Sequence, residues 1–537
     1  MRRPGDSIAI RYRVEGALGF HGAMATAVPG APSPALFAGT GVGLAELRTY
    51  TDLALDLLAE NLAGRSGPVP PGGPGRVGGP GTGPLSEALI GETGQDARTT
   101  FVELIRAFAG GAVDLNHAAA VARMQCPPLA PAVAAEVVVA ALNQSLHAWE
   151  SGPSALELDR WVVEGLAAAV GYGPASGGTL TAGGSVSNLM GLLAAREWVL
   201  SARQGTSTFG SGLAGLGARP VVLCSDSTHF SVARAVGVVG IGTENIVRLP
   251  SDEHGRIRPD LAEQVLIDLP PGTVPVALVA CAGTTDFGWV DPLPELAVIA
   301  RRRGVWLHVD AAYGGGAIFS DRLRPMLRGI AEADSVTLDL HKFGWVPASA
   351  SALLVRSAAS LDPLAGDTTT LNAEDDRLAG YHGRYGSSLQ ATRRVDALKI
   401  AVALRTLGRR GIGEMVDACH ALACHAADRI AVHPRLELAD RPVLSTVVFR
   451  YLPDPGVDAD AFNAELRRRL MAAGTVLTAR TRVPRPDGTA PVFLKLMLLN
   501  PATTAEQLDG VVADVLAGAA ELSAAHPAVP AAGVARP

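Results

Sequence analysis

From Pro127 onward, long stretches of helical periodicity alternate with short runs rich in β-branched and apolar residues. The helical stretches begin with "PPLAPAVAAEVVVAALNQSLHAWE", and the short runs include "ARPVVLCS", "VPVALVACAG", "GVWLHVDAA", "SVTLDL" and "SALLVR". Strands spaced by helices in this way predict an α/β fold, an open and mostly parallel sheet covered on both faces. After "LQATRRVDALKIAVALRTLG" the texture changes. A helical stretch, the run "STVVFRYL", another helix and the run "PVFLKLMLL" predict a smaller α+β domain. The expected organisation is an N-terminal segment over 1–115, a large domain over 116–399, a small domain over 400–522 and a disordered tail over 523–537. Within the first segment, "GLAELRTYTDLALDLLAENLAG" predicts one amphipathic helix. The Gly/Pro-rich stretch at 66–84, including "PVPPGGPGRVGGPGTGP", is too poor in apolar side chains to pack and predicts a flexible linker.

Composition narrows the function. A net charge of −6 gives no reason to expect nucleic acid, and no basic block argues for a membrane surface. No apolar run approaches the roughly 18–20 residues that span a bilayer. Arg11 and Arg13 interrupt the only apolar run near the start, so a secretory signal is not expected, and Met24 is a second candidate start. Five scattered cysteines suit reduced thiols in a cytoplasm better than a disulfide framework. "CHALACH" (Cys419 to His425) reads as a buried or half-buried helix rather than a metal site. On a helix its two cysteines project about 140° apart, and no second pair accompanies them.

Lysine usage is the sharpest signal. Of 46 basic residues only Lys342, Lys399 and Lys495 are lysine. A site that must lose its proton cannot use arginine, whose guanidinium stays charged. Lys399, mid-helix on an arginine-flanked face, is expected to be solvated, and Lys495 falls in an edge or interior strand of the small domain. Lys342 follows "SVTLDL" directly and so lies at the carboxyl end of a strand, where ligands gather in open α/β sheets.

Four other strand ends keep it company. Asp310 ends "VWLHVD" and is followed by the small residues "AAYGGG". A carboxylate there can hold the pyridine nitrogen of pyridoxal phosphate protonated, and small residues let a flat ring lie against the backbone. "GGTLTAGGSVSNLMGLLAARE" is a glycine-rich turn opening a helix, where Gly183, Gly184 and Ser185 would present N–H groups and a hydroxyl to a phosphate. "SDSTHFSVARA" sets His229 after a strand, where its ring could stack on the cofactor. "CAGTTDFGWVDP" puts Thr284 and Thr285 at another strand end. Phosphate loop, stacking histidine, aspartate and lysine in that order predict a pyridoxal phosphate site.

With those residues in view, the chain resembles the group II pyridoxal-phosphate-dependent amino-acid decarboxylases. The matching pieces are "NQSLHAWESGPSALELDRWV", "TAGGSVSNL", "SDSTHFS", "AGTTDFGWVDP", "WLHVDAAYGG", "ADSVTLDLHKFGW", "SLQATRRVDALK" and "LNPATT", over roughly Asn116 to Leu522. The resemblance implies a fold-type I enzyme with a seven-stranded sheet, a homodimer with its active sites at the subunit interface. It gives Lys342 as the Schiff-base lysine, Asp310 as the pyridinium partner and His229 as the stacking histidine. Gly184, Ser185, Asp339 and His341 match phosphate-side positions, Thr285 a pocket threonine, and Ala312 a further cofactor contact. A mobile loop in the family carries a tyrosine that protonates Cα. The corresponding region, "GDTTTLNAEDDRLAGYHGRYGSS", offers Tyr381 and Tyr385, of which Tyr385 is favoured.

Substrate is less constrained. The resemblance is closest to bacterial diaminobutyrate and siderophore-type lysine decarboxylases, but Arg123 and Gln125 in "AVARMQCPP" replace histidines common in the family. An Arg123 facing the pocket would disfavour a cationic substrate side chain; facing solvent, it would decide nothing. The competing readings are another reaction of the same cofactor, such as transamination or aldehyde-forming oxidative decarboxylation, and a non-catalytic paralogue acting as a binding partner.

Overall fold

The computed structural model describes residues 33–75, 89–364 and 373–525. The stretches 76–84 of the expected linker and 526–537 of the expected tail lie outside them, as do Met24 and the first part of the tyrosine-bearing loop. The chain divides into two units, Met1–Thr51 and Asp52–Pro537. The described part of the first is a short 3-10 turn, Pro34–Leu36, and the start of the helix Gly41–Leu62, the helix expected from its amphipathic pattern.

In the second unit, strand β1 (Ala120–Val121) belongs to a smaller sheet. Strands β2 (Gly177–Thr181), β3 (Arg219–Cys224), β4 (Ile246–Arg248), β5 (Thr273–Cys281), β6 (Trp306–Asp310), β7 (Ser335–Asp339) and β8 (Ser351–Val355) form the larger one. Strands β9 (Leu436–Leu438), β10 (Thr446–Tyr451), β11 (Leu477–Arg482) and β12 (Val492–Met497) complete the smaller. The larger sheet runs β2-β8-β7-β6-β5-β3-β4, and only β8 is antiparallel to its neighbours.

Side chains alternate across a strand, so a sheet covered on both faces must be apolar at consecutive positions. β5 shows this. Leu278 and Ala280 join the layer formed with helices Pro153–Val170 and Leu293–Arg303. Ala277 and Val279 join the layer formed with helices Gly184–Gln204 and Phe230–Val238. The smaller sheet, ordered β1-β11-β12-β10-β9, packs its own core against helices Ala459–Ala473 and Ala505–Ala525.

Two sequence expectations differ from what is observed, those for Lys399 and for the Gly/Pro stretch, and the alternative left open for Lys495 is decided. Lys399 is not solvated: its ammonium is enclosed, 3.1 Å from Glu136 Oε1 and 3.0 Å from Asp396 Oδ1, and it donates to the Ser349 carbonyl at 3.1 Å. Arg394, one of the arginines near it in sequence, pairs with the other oxygen of the same Glu136 carboxylate. Lys495 sits in β12, an interior strand between β11 and β10, and is buried against Asp286 at 2.5 Å. The described part of the Gly/Pro stretch does pack. Gly72 N–H donates to the Ala472 carbonyl at 2.7 Å, and Gly67 lies so near the Gly474 carbonyl that a Cβ would come within 2.0 Å of its oxygen. Glycine here serves close backbone approach rather than flexibility.

Candidate active site

The carboxyl ends of β3, β5, β6 and β7, with the turn after β2, surround one cavity of about 260 Å³. Gly184, Ser185, His229, Thr285, Asp310, Ala312, Asp339, His341 and Lys342 all line it, as do Gly183 and Thr284. The separately quoted sequence pieces therefore converge on a single space.

Gly183 precedes the helix Gly184–Gln204 with φ +124°, a conformation open to glycine at no cost. The first N–H groups of that helix have no carbonyl partner within it and point toward the cavity end of the turn. A side chain at Gly184 would bring its Cβ to 2.9 Å from Asp339 Oδ1 and 3.2 Å from Ala312 Cβ. The cradle exists because that atom is missing.

Lys342 Nζ lies 2.9 Å from Asp339 Oδ2 as an ion pair, and His341 Nε2 lies 3.7 Å from the same oxygen. Asp339 Oδ1 is buried without a hydrogen-bond partner, an acceptor turned toward the Gly184 cradle. Asp310, 7% exposed, accepts from Asn188 Nδ2 at 2.8 Å and from the Ala312 N–H at 3.1 Å. Both contacts donate to it, the pattern of an ionised carboxylate held for a cationic partner. His229 caps the helix Phe230–Val238, its Nδ1 2.8 Å from Ser231 Oγ. Burial lowers the His229 pKa, Asp310 raises it and Lys342 lowers it again, so the three groups share one field.

The sequence reading missed Asn188, Met124, Ser227, Cys281 and Tyr313, which also line the cavity. Asn188 was legible: it stands four residues after Gly184, one helical turn on and so on the same face. The others carry no signal that separates them from packing. Tyr381 and Tyr385 do not line the cavity; Tyr381 packs edge-on against Trp149 with centroids 4.9 Å apart. Arg123 and Gln125 are exposed and absent from the lining, and Arg123 lies near Arg467, whose pKa its charge helps to lower.

The residues fit pyridoxal phosphate: an anion cradle at a helix N-terminus, a buried carboxylate for a ring nitrogen, an imidazole beside the space between them and a lysine at its edge. Residues 112–452 match the family model described as the pyridoxal-dependent decarboxylase conserved domain. The L-2,4-diaminobutyrate decarboxylase of Rhizobium meliloti is 36% identical, the match covering 81% of this chain and 84% of that one. The enzyme of the same name from Acinetobacter baumannii is 32% identical over 79% of this chain and 84% of its own. Among solved structures, the glutamate decarboxylase domain of diaminobutyrate-pyruvate transaminase and L-2,4-diaminobutyrate decarboxylase from Vibrio parahaemolyticus superimposes with a TM-score of 0.78. It is 27% identical, covering 90% of this chain and 98% of the other. The chain belongs to the pyridoxal-dependent decarboxylase family and is a carboxy-lyase that uses pyridoxal phosphate.

Proposed function

We propose that this decarboxylase acts on an L-amino acid with a cationic side chain, of the diaminobutyrate or lysine type, releasing carbon dioxide and the corresponding amine. The observation that carries the reading is the 36% identity, over 81% of the chain, to a relative named for diaminobutyrate. Arg123, the sequence feature that argued against a cationic substrate, is exposed and outside the cavity lining. It sets no barrier there.

The roles of the residues follow from their chemistry. Gly183, Gly184 and Ser185 would hold the phosphate, and Asp310 the pyridine nitrogen, with His229 against the ring. When bound, the cofactor supplies an electron sink for the pair left at Cα as carbon dioxide departs. Lys342 would hold the cofactor through its amine, for which Nζ would leave its contact with Asp339 and give up a proton. Asp310, which accepts two hydrogen bonds, keeps a proton on the ring nitrogen by pairing with it. We assign the Cα proton donor to the Tyr385 phenol, carried over the site by its loop.

We infer further that two copies of the chain associate. Val133, Val138 and Leu142 leave the helix Ala130–Leu142 with exposed apolar positions, and Trp149, shortly after it in sequence, and Tyr381, packed against Trp149, expose aromatic surface. All five cysteines are unpaired, which suits a reducing compartment such as the cytoplasm.

The test is an absorption spectrum of the purified protein, followed by assay of an amino-acid panel for carbon dioxide and amine. A visible cofactor band lost in Lys342→Ala, with turnover of diaminobutyrate or lysine, is the expected result. Preference for glutamate or aromatic amino acids would overturn the substrate assignment. Tyr385→Phe should divert product from amine toward aldehyde; unchanged amine yield would remove that residue from the mechanism.

A further inference from the structure

Strands β6 and β7 lie parallel in register, with His308 opposite Ser335 and Asp310 opposite Thr337. The period of two puts Trp306, His308 and Asp310 on one face of β6, and Ser335, Thr337 and Asp339 on the same face of β7. Helix Gly184–Gln204 crosses that face closely: a Cβ on Gly191 would come within 2.6 Å of the His308 ring. The helix thereby lowers Asn188 into a space that is wholly buried.

The hydrogen bonds among these side chains can be directed from chemistry alone. Trp306 Nε1–H can only donate, and it meets Ser335 Oγ at 2.8 Å. The Ser335 hydroxyl is thereby left with its own proton free for its other neighbour, His308 Nδ1, at 2.8 Å. His308 then carries its proton on Nε2, which faces Asn188 Oδ1 at 3.0 Å. Thr337 Oγ1 donates to that same oxygen at 2.7 Å. Asn188 is left with both Nδ2 protons, one for Asp310 Oδ2 at 2.8 Å and one for Ser231 Oγ at 2.9 Å. Ser231, now an acceptor, donates its own proton to His229 Nδ1 at 2.8 Å. The far end offers an independent check. The Ser231 backbone N–H, which also can only donate, meets His229 Nδ1 at 3.3 Å. The His229 end requires this assignment and the Trp306 end fits it, with no donor facing a donor anywhere between. Burial pushes the His308 pKa down to about 4, so its ring is neutral at ordinary pH, as a one-proton assignment needs.

We propose that Trp306, Ser335 and His308 form a one-way hydrogen-bond relay that fixes the Asn188 amide, so that Asp310 and His229 are presented to the cofactor as an acceptor and as an Nε2–H tautomer. Trp306, Ser335 and His308 are positioning residues. None of the three lines the cavity, and they act through Asn188. A reversed amide would set Asn188 Oδ1 against the Asp310 carboxylate, two acceptors in a buried space, and that cost is what the relay prevents. The consequence for the cofactor rests on the reading of the site given above; the proton positions do not.

Nitrogen NMR on histidine-labelled, cofactor-free protein reads those positions directly, because protonated and bare ring nitrogens resonate far apart. Peaks are assigned with His308→Gln and His229→Gln. Both histidines should carry the proton on Nε2; Nδ1–H at either one overturns the relay. In Ser335→Ala, His308 should become a mixture of tautomers and pyridoxal phosphate should bind roughly tenfold more weakly, the loss of about one hydrogen bond's preorganisation. Ser335→Thr should restore both readouts. Should Ser335→Ala fail to fold, Trp306→Phe removes the donor at the relay's origin and should give the same His308 mixture. Unchanged cofactor affinity beside a scrambled His308 would mean the chain of bonds is packing only, and the proposal falls. Failure of the wild type to bind pyridoxal phosphate, with the proton positions as assigned, would strike the reading of the site and leave the relay standing.

Discussion

Lys495 and Asp286 form an ion pair whose two halves are unequally buried, and the inequality makes a sharp prediction. The lysine side chain is 4% exposed and the aspartate 39%, with 2.5 Å between Nζ and Oδ1. Thr481 Oγ1 donates to the second aspartate oxygen at 2.8 Å. Asp286→Ala would strand an ammonium inside β12 with no opposite charge, and breaking a buried pair from that side costs about 3 kcal/mol or more. Lys495→Met removes the buried charge, keeps most of the volume, and leaves Asp286 to Thr481 and water. That change should cost about 1 kcal/mol. The double variant should resemble Lys495→Met, because a missing ammonium needs no partner. Urea midpoints with their slopes are the assay, since a protein with two packed sheets need not unfold in one step. Equal losses for the two single variants, or a larger loss for Lys495→Met, would refute the reasoning. Asp286 follows Thr285 directly, so the same variants should loosen a wall of the cavity and weaken cofactor retention.

Gly184→Ala should leave folding intact and reduce cofactor affinity about tenfold or more, measured by titration of the visible band, because its Cβ lands 2.9 Å from Asp339 Oδ1 in the phosphate cradle. Asp339→Asn should break the 2.9 Å ion pair that holds Lys342 Nζ, and the rate at which the cofactor attaches, followed by growth of the visible band, should rise. The pH dependence has a sign. His308, neutral when folded down to a pKa of about 4 but ordinarily near 6.5, adds stability that is complete above pH 6.5 and is lost as pH falls toward 4, by about 3 kcal/mol. The stability difference between wild type and His308→Gln should therefore shrink over that window; a difference that holds constant or grows on acidification would contradict it. Asp291, raised to about 6 by burial, works in the opposite sense, its contribution present at low pH and lost as pH rises through 6.

Much of this was legible because the chemistry and the fold use the same punctuation. Asp310 and Lys342 were found at strand ends, and strand ends can be read from where a β-branched run stops. The two-layer burial of β5 was likewise readable from its unbroken apolar run. What escaped was long-range: Asn188 is 122 residues from the carboxylate it holds, and Trp306 and His308 read from sequence as ordinary strand residues. Nothing local told Trp306 from a core indole. Only the parallel register of β6 and β7 sets Ser335 against both of its partners. The packed part of the Gly/Pro stretch escaped for a different reason, since composition reports missing side chains and says nothing of a neighbouring backbone that requires their absence.

The lysines show how far a compositional signal reaches. Scarcity of lysine marked Lys342 as a candidate for a group that must shed a proton, yet Lys399 and Lys495 are just as scarce and lie outside the cavity. All three share something else: each ammonium lies within 3.1 Å of a carboxylate, with Lys399 and Lys495 buried and Lys342 half-buried at the cavity. A planar guanidinium with five donors would bring N–H groups that the Glu136–Asp396–Ser349 and Asp286 sites have no acceptors to satisfy. In a chain that uses arginine wherever solvent or a broad acceptor is available, lysine survives where a compact charge must be enclosed. Deprotonation is one reason to enclose it. The strand-end company of Asp310, His229 and Gly184 around one cavity is what sets Lys342 apart as the lysine we propose to react.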